Sequence, residues 1–365
     1  MRILLAGGGT GGHLMPALNL ADAIRDLRPD IEPVLVGARR GVEAALLPHR
    51  TPAYRYHLLP AEPIYRRQWW NNVRWVGLLP RLYTACVRII KEEQPALAVG
   101  TGGYASGPIL WVASGRNVPI ALQEQNAAPG LTTRWLAARA AQIHLGFQES
   151  RGYLRPGMRT TIHFLGNPIS PPRDRVTGRD EARSELGFDA SQQVCFVMGG
   201  SQGAQAINET VSAALEAGYL ADIAILWSTG PGMFDRFKHH HAPPWRHVRP
   251  FWDPVTLAYA AADLVVARAG AMTTAELCAW GLPSLLVPLP TAAAGHQATN
   301  ARALAEAGCA VAIPQSEMRP ESLSGTISSL IVDRARLSEM SAAATARGRP
   351  DAAAQIAETL LSLVD

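Results

Sequence analysis

Along the chain, short apolar runs alternate with longer segments in which apolar positions recur every three or four residues. Residues 2–6, 34–37, 96–99 and 119–122 have strand length and lead into turn residues. The pattern restarts at 194–198, 223–227, 264–267 and 284–287. Between them, Leu14, Leu18, Ala21 and Ile24 share one helical face, as do Ile207, Val211, Ala214 and Leu215. Such strand–helix alternation predicts an α/β protein with parallel sheets covered on both faces. The stretch "GNPISPPRDRVTGRD", 166–180, mixes prolines, glycines and charges without a period and reads as a linker. The expected layout is a Rossmann-like domain over 1–166, a linker over 167–180 and a second Rossmann-like domain over 181–365. The last helix is a candidate to pack back on the first domain.

Both halves open with the same device. "LLAGGGTGGHLMPALNLADAI" (4–24) and "VCFVMGGSQGAQAIN" (194–208) are each a strand, a glycine turn and a helix start. Glycines let a ligand approach peptide N–H groups, and the helix that follows points its positive dipole end at the same spot. The combination suits phosphate, diphosphate or developing negative charge. A Walker A loop is excluded, because His13 and Leu14 follow Gly12 where Lys and Ser/Thr are required. Gly7, Gly9 and Gly12 partly satisfy a dinucleotide fingerprint. The acidic residue expected after the second strand is missing from "VLVGARRG", whose arginines would suit a 2′-phosphate, so an oxidoreductase stays open at this point. Two further loops, "GTGGYASGP" (100–108) and "LQEQNAAPG" (122–130), also follow apolar runs. The glycines could serve helix–strand packing alone, but several such loops on one face favour a site.

Composition narrows the classes. The 365 residues suffice for two domains, and 48% hydrophobic with 18% charged residues is a globular balance. Thirty-four Lys and Arg against 30 Asp and Glu leave only +4, which calls for no nucleic-acid partner. Cys86, Cys195, Cys278 and Cys309 are scattered without a CxxC pair, so neither a disulfide framework nor a structural zinc site is expected. "HHH" at 239–241 has no carboxylate or cysteine at ligand spacing and reads as a surface loop, so no metal is expected. The uncharged run 277–295 contains Gly281, Pro283, Pro288 and Pro290, which favour helix, turn, strand and loop over a membrane span. Met1 and Arg2 lead straight into a strand, so a cytosolic, reduced chain without a secretory signal is expected.

Taken in order, "GGGTGGH", "GTGGYASGP", "EQN", "GNPI", "GGSQGA", "RAGAMTTAEL" and "GHQATNA" resemble the MurG family over essentially the whole chain. These are the UDP-N-acetylglucosamine transferases that complete the lipid-linked disaccharide precursor of peptidoglycan. The resemblance implies GT-B architecture, two Rossmann-like domains with parallel sheets facing a central cleft. It implies UDP-N-acetylglucosamine in the C-terminal half and undecaprenyl-diphosphate-linked N-acetylmuramyl-pentapeptide in the N-terminal half. Transfer to the acceptor 4-hydroxyl would be inverting, with neither metal nor cofactor. An imidazole titrates near working pH, which makes His13 the preferred base, with Glu124 and Tyr104 as runners-up. The resemblance further places Thr10, Gly11 and Gly12 toward the nucleotide sugar and Asn126 on the sugar donor. Ser201 adds a hydroxyl at the diphosphate. By the same resemblance, Ala271, Met272, Thr273, Thr274, Ala275 and Glu276 would bracket ribose and phosphate, with Glu276 similar to the carboxylate that accepts from ribose hydroxyls. Gln297 reads the sugar, and Trp252 falls where main-chain groups read uracil. One departure is visible: the family arginine after "GNPI" is Ser170 here, and Arg173 is a candidate to reach the same phosphate. A GT-B enzyme acting on another lipid, a UDP-sugar epimerase and a non-catalytic nucleotide-sugar-binding protein remain as alternatives.

Residues 64–91 gather Trp69, Trp70 and Trp75 with Arg66, Arg67, Arg74, Arg81, Arg88 and Lys91. Interfacial tryptophan beside arginine predicts peripheral contact with an anionic membrane surface, on its cytoplasmic face, with Trp111 a possible addition to the patch. An aromatic core face with a solvated basic face would give the same composition.

Overall fold

Two all-parallel sheets organise the chain in a computed structural model that describes residues 1–50, 53–62, 74–170 and 178–364. The side chains of residues 74–76 lie outside that description. Contacts divide the chain into one unit of residues 1–170 and 351–365 and a second of residues 171–350.

In the first unit the order is β1 (Arg2–Gly7), α1 (Gly11–Leu27), β2 (Glu32–Ala38), α2 (Glu43–Leu46), β3 (Arg55–Leu59) and α3 (Arg74–Glu93). There follow β4 (Leu97–Gly102), α4 (Ser106–Ser114), β5 (Ile120–Glu124), α5 (Leu131–Leu136), β6 (Gln142–Leu145) and β7 (Thr161–Phe164). Its seven strands lie in the order β3-β2-β1-β4-β5-β6-β7. The direction of winding reverses between β1 and β4, and ligands of open α/β sheets bind at such switch points, outside the carboxyl ends of the strands. Gly7 and Gly102 are paired there, after a shift in register at Ala6 and Gly7.

The second unit begins with α6 (Arg179–Glu185), β8 (Val194–Met198), α7 (Gln205–Glu216), β9 (Ala224–Ser228), α8 (Phe234–Phe237) and β10 (Arg246–Arg249). It continues with α9 (Thr256–Ala261), β11 (Leu264–Ala267), α10 (Ala271–Ala279), β12 (Ser284–Leu286), α11 (His296–Glu306), β13 (Ala310–Ala312), α12 (Pro320–Val332) and α13 (Arg334–Arg347). Its six strands run β10-β9-β8-β11-β12-β13, with the switch between β8 and β11. At the opposite, amino end of these strands the buried Asp263 accepts from Val194 N–H at 2.8 Å, Arg183 at 2.7 Å and Arg334 at 3.1 Å, and also from Arg179. Burial alone would raise its pKa. The Val194 hydrogen bond and the arginines overcome that and hold it below the usual carboxylate range.

Two segments bear on the domain boundaries. The final helix α14 (Ala352–Leu361) belongs to the first unit, where Ile356, Ala357 and Leu360 join Leu14, Leu18 and Leu20 of α1 in one apolar cluster. Each such buried aliphatic side chain contributes roughly 1.5–3 kcal/mol, which outweighs the helix's late position in sequence. Residues 167–170, read as linker, also belong to the first unit. Asn167 and Ile169 are buried, and Asn19 of α1 donates to the Pro168 carbonyl at 2.6 Å. Residues 171–177 lie outside the described residues.

Candidate active site

In the first unit the glycine loop after β1 delivers His13 as the third residue of α1, beside the end of β4. Its Nδ1 lies 3.1 Å from the Thr101 carbonyl and 3.1 Å from Gln125 Oε1. Gln125 Nε2 meanwhile donates to the carbonyls of Thr101 (2.8 Å) and Gln123 (2.9 Å), which orients the amide so that Oε1 faces the imidazole. Both neighbours of Nδ1 are therefore acceptors, so Nδ1 carries the proton and Nε2 the lone pair. Nε2 makes no hydrogen bond among the described residues, and the ring is partly exposed. Close approach is possible because residue 102 is glycine at φ +95°, where a β-carbon would lie 2.7 Å from Nδ1.

Behind this pair stands a chain of buried amides. Gln123 Nε2 donates to Asn167 Oδ1 at 3.0 Å, and Asn167 Nδ2 donates to the Gln125 carbonyl at 3.0 Å. The "GNPI" asparagine thus orients the "EQN" glutamine, which orients His13. Sequence reasoning singled out Glu124 and Asn126 and passed over Gln125 between them. The alternation of a β-strand was the available signal, since Gln123 and Gln125 share a face that Glu124 does not.

The other predicted residues of this unit also gather at the carboxyl ends of β1, β4 and β5. Thr10 is the N-cap of α1, and Thr10, Gly11 and Gly12 are exposed, with helix-start N–H groups free for an anion. Tyr104 lies over Gly9, where a β-carbon would strike its ring. Glu124 is buried with both oxygens engaged: Oε1 accepts from Asn126 N–H (3.1 Å) and its amide (3.3 Å), Oε2 from Gly130 N–H (2.9 Å) and Thr133 (2.6 Å). That carboxylate braces the 126–133 turn, which argues against it as the base.

A further carboxylate had escaped notice. Glu43, at the start of α2, is fully buried and accepts from Ala38 N–H at 2.6 Å and Gly9 N–H at 2.9 Å. A β-carbon at Gly8, Gly37 or Gly41 would collide with it. The chain's own carboxylate thus fills the cradle where a dinucleotide would need space, which removes the basis of the oxidoreductase reading. Glu43 was missed because it stands beyond the arginines after β2 and is held there by a short helix.

In the second unit the loop 199–204 is open. Ser201 is exposed, and the N–H groups of Gly200 and Ser201 make no hydrogen bond among the described residues. Gly200 sits at φ +85° with nothing within 4 Å of a β-carbon position. Across the switch point, α10 starts at Ala271. Its Met272 and Thr273 are partly exposed, as is Ala275, whereas Thr274 is buried and donates to the Ala271 carbonyl at 3.0 Å. Glu276 accepts at Oε2 from the buried Tyr259 hydroxyl at 3.1 Å. Burial raises the Glu276 pKa against the lowering effect of that bond, and burial also pushes Tyr259 well above its usual value. Oε1 makes no hydrogen bond among the described residues, and the side chain is partly exposed. Gln297 Oε1 accepts from Leu289 N–H at 2.9 Å. Trp252 is buried in the core, 1% exposed, with the Arg249 guanidinium 4.0 Å from its ring centroid, so its side chain is not presented to a ligand. Arg268, passed over by sequence reasoning although it opens "RAGA", is buried and donates to the carbonyls of Val287 (3.1 Å) and Pro288 (3.3 Å) and to Gln315 (2.7 Å). It ties down the strand end from which the loop to Gln297 departs.

Comparison with known proteins decides the family. The N-terminal domain of glycosyltransferase family 28 matches residues 3–145, and the C-terminal domain of that family matches residues 194–356. The chain is 39% identical over 366 residues to the UDP-N-acetylglucosamine–N-acetylmuramyl-(pentapeptide) pyrophosphoryl-undecaprenol N-acetylglucosamine transferase of Salinibacter ruber, covering 100% of this chain and 97% of that one. It is 37% identical over 368 residues to the protein of the same name from Chlorobaculum tepidum, covering 100% and 99%. The chain belongs to the MurG family. The crystal structure of Acinetobacter baumannii MurG matches this MurG-family chain with a TM-score of 0.78 at 26% identity, covering 99% of both. A UDP-glucose:anthocyanidin 3-O-glucosyltransferase in complex with UDP matches at 0.67 and 14% identity, a likeness of GT-B fold alone.

Other expected residues of this MurG-family glycosyltransferase fall outside the two clusters. Arg66, Arg67, Trp69, Trp70 and Arg173 lie outside the described residues, as do the side chains of Arg74 and Trp75 at the start of α3. Ser170 is exposed. Trp111 on α4 is half-exposed, with the Arg139 guanidinium 4.0 Å from its ring centroid. Leu79 and Tyr83 of the neighbouring α3 are exposed as well. No helix among the described residues is long and apolar enough to cross a membrane.

Proposed function

We propose that the chain transfers N-acetylglucosamine from UDP-N-acetylglucosamine to the 4-hydroxyl of undecaprenyl-diphosphate-linked N-acetylmuramyl-pentapeptide, with inversion at the anomeric carbon. The observation that carries the mechanism is the pair of acceptors beside His13 Nδ1. Thr101 and Gln125 hold the proton on Nδ1, so Nε2 has a lone pair to take the acceptor hydroxyl proton. The acceptor oxygen then bonds to the anomeric carbon as the bond to the UDP oxygen breaks, and that electron pair leaves on UDP. The N–H groups of the 199–204 loop and the start of α7, with the Ser201 hydroxyl, meet the charge on the departing diphosphate, and no metal is assigned to the step. Glu276 Oε1, which makes no hydrogen bond among the described residues, accepts from ribose hydroxyls. Gln297 and Asn126 read the sugar, the main chain at Trp252 reads uracil, and Thr10, Gly11 and Gly12 meet the nucleotide sugar. With Arg173 outside the described residues, the diphosphate contact at Ser170 stays a proposal. We place the enzyme at the cytoplasmic face of the cell membrane as a peripheral protein. The support is exposed Leu79, Tyr83 and Trp111 with arginines around them, a combination suited to anionic lipid.

UDP release with and without the lipid-linked acceptor, in wild type and His13→Ala, tests the reading. Acceptor-dependent release that falls by about 10²–10⁴ in the variant supports function and base together. Release that survives the substitution moves the base elsewhere. No acceptor-dependent release by folded protein overturns the assignment.

A further inference from the structure

The histidine run 239–241 was read as a surface loop without a carboxylate. The structure supplies one. Glu216, the last residue of α7, brings Oε1 to 3.6 Å from His240 Nε2 and 4.0 Å from His239 Nε2. The three candidate ligand atoms all lie within 4.8 Å of one another. Nitrogen and oxygen ligands bind zinc at about 2.0–2.2 Å, which sets tetrahedral donors roughly 3.3–3.5 Å apart. Closure therefore needs only small movements of His239 and Glu216, whose side chains are 60% and 62% exposed and free to make them.

The third ligand is already anchored. His240 is buried, its ring stacks at a tilt on Trp227 with centroids 5.8 Å apart, and Nε2 lies 2.8 Å from Ser212 Oγ. Ser212 in turn donates to Glu216 Oε1 at 3.0 Å, so it links two of the ligands before any ion arrives. Without metal, Nε2–H of His240 donates to Ser212. Coordination uses the other neutral tautomer, with the proton on Nδ1, and needs no net proton loss. Glu216 also ends a twelve-residue helix, whose negative dipole end favours a cation there. The nearby Lys238 is occupied by Asp235 at 2.7 Å. The other histidine–carboxylate group, His57 with Glu92 and Glu93, already has Arg2 and Arg55 as counter-ions, which disfavours a metal.

We propose that Glu216, His239 and His240 form a binding site for a divalent first-row transition-metal ion of the zinc class, with water completing the coordination. Two imidazoles and a carboxylate suit such an ion rather than magnesium or calcium. The site lies at the far end of α7 from the diphosphate loop, roughly 18 Å along the helix axis, so its ion clamps α7 to the 238–241 segment and takes no part in transfer.

Titration calorimetry of the tag-free chain with Zn²⁺, and visible spectra with Co²⁺ as a probe of tetrahedral coordination, test the site. One Zn²⁺ per chain with micromolar or tighter affinity is expected, with a rise in unfolding midpoint on addition of Zn²⁺. Affinity should fall about tenfold or more in His239→Ala and in Glu216→Gln, both exposed positions that leave the core intact. His241→Ala should bind as wild type, because His241 Nδ1 is turned inward to accept the Val248 N–H at 3.1 Å. Absence of saturable Zn²⁺ binding overturns the proposal. So does equal affinity across wild type, His239→Ala and Glu216→Gln, or a loss in His241→Ala as large as theirs.

Discussion

The glycine loops after β1 and β8 look alike in sequence, yet one is braced from within by a buried carboxylate and the other is not. Around the first, Gly8, Gly37 and Gly41 make room for the carboxylate of Glu43, which takes the N–H of Gly9. Around the second, Gly203 and Gly230 let backbone pack on backbone, while Gly200 faces open space and Ser201 is exposed. Part of an anion-binding device can thus be satisfied by the protein and used to brace the loop that presents a side chain, while its helix-start N–H groups stay exposed. The first loop presents His13 beside Thr101 and Gln125, and the second leaves the N–H groups of Gly200 and Ser201 without a hydrogen bond among the described residues.

Removing the internal carboxylate is the strongest way to break this contrast. Glu43→Ala leaves the Ala38 and Gly9 N–H groups without their acceptor, at about 1–3 kcal/mol each. The expected outcome is a large drop in unfolding midpoint and about 100-fold lower kcat/KM, as misplacement of a catalytic group costs, with UDP affinity unchanged. Equal losses in UDP affinity by calorimetry would show that the two loops do not act separately. The reverse experiment installs a carboxylate in the open loop. Ser201→Asp sets like charge against the diphosphate, worth about 1–4 kcal/mol at contact distance. UDP affinity should fall by at least about tenfold, less so in high salt, because a partly exposed pair is screened.

Glu276→Gln probes the second unit more gently. Weakening a hydrogen bond to a charged group by about 1.5 kcal/mol lowers UDP affinity about tenfold. Its effect on stability has the opposite sign. The folded pKa of Glu276 is raised by burial, so folding favours the protonated form, and stability falls as pH rises from the unfolded pKa through the folded one. Glutamine removes that loss. The variant's unfolding midpoint should exceed wild type most clearly in alkaline buffer, with the advantage shrinking below the ordinary carboxylate range. The smallest change is Gly200→Ala, which costs about 1–2 kcal/mol of backbone strain at φ +85° and should weaken UDP binding a few-fold in equilibrium titration.

Much of this was legible from the chain alone. Strand–helix alternation predicted two parallel sheets, and ordered motifs pointed to the family and to the elements that hold His13, Ser201 and Glu276. The supports were not legible. Gln125 and Asn167 meet across 42 positions of sequence, and Glu43 reaches Gly9 across 34, through hydrogen bonds that no local pattern announces. Glu124 and Trp252 show the converse. Both stand inside informative motifs, yet one braces a turn and the other packs in the core.

By itself the sequence determined the alternation of elements, the glycine turns and the residue types available for chemistry, because periodicity and backbone freedom are local properties. Only the tertiary structure decided which glycine loop a buried carboxylate braces, which tautomer His13 adopts, that α14 completes the first unit and that Glu216 stands beside His239 and His240. Each of those depends on a buried hydrogen bond, an apolar contact or a charge pair between distant segments. Such pairings form only when the sheets bring those segments together.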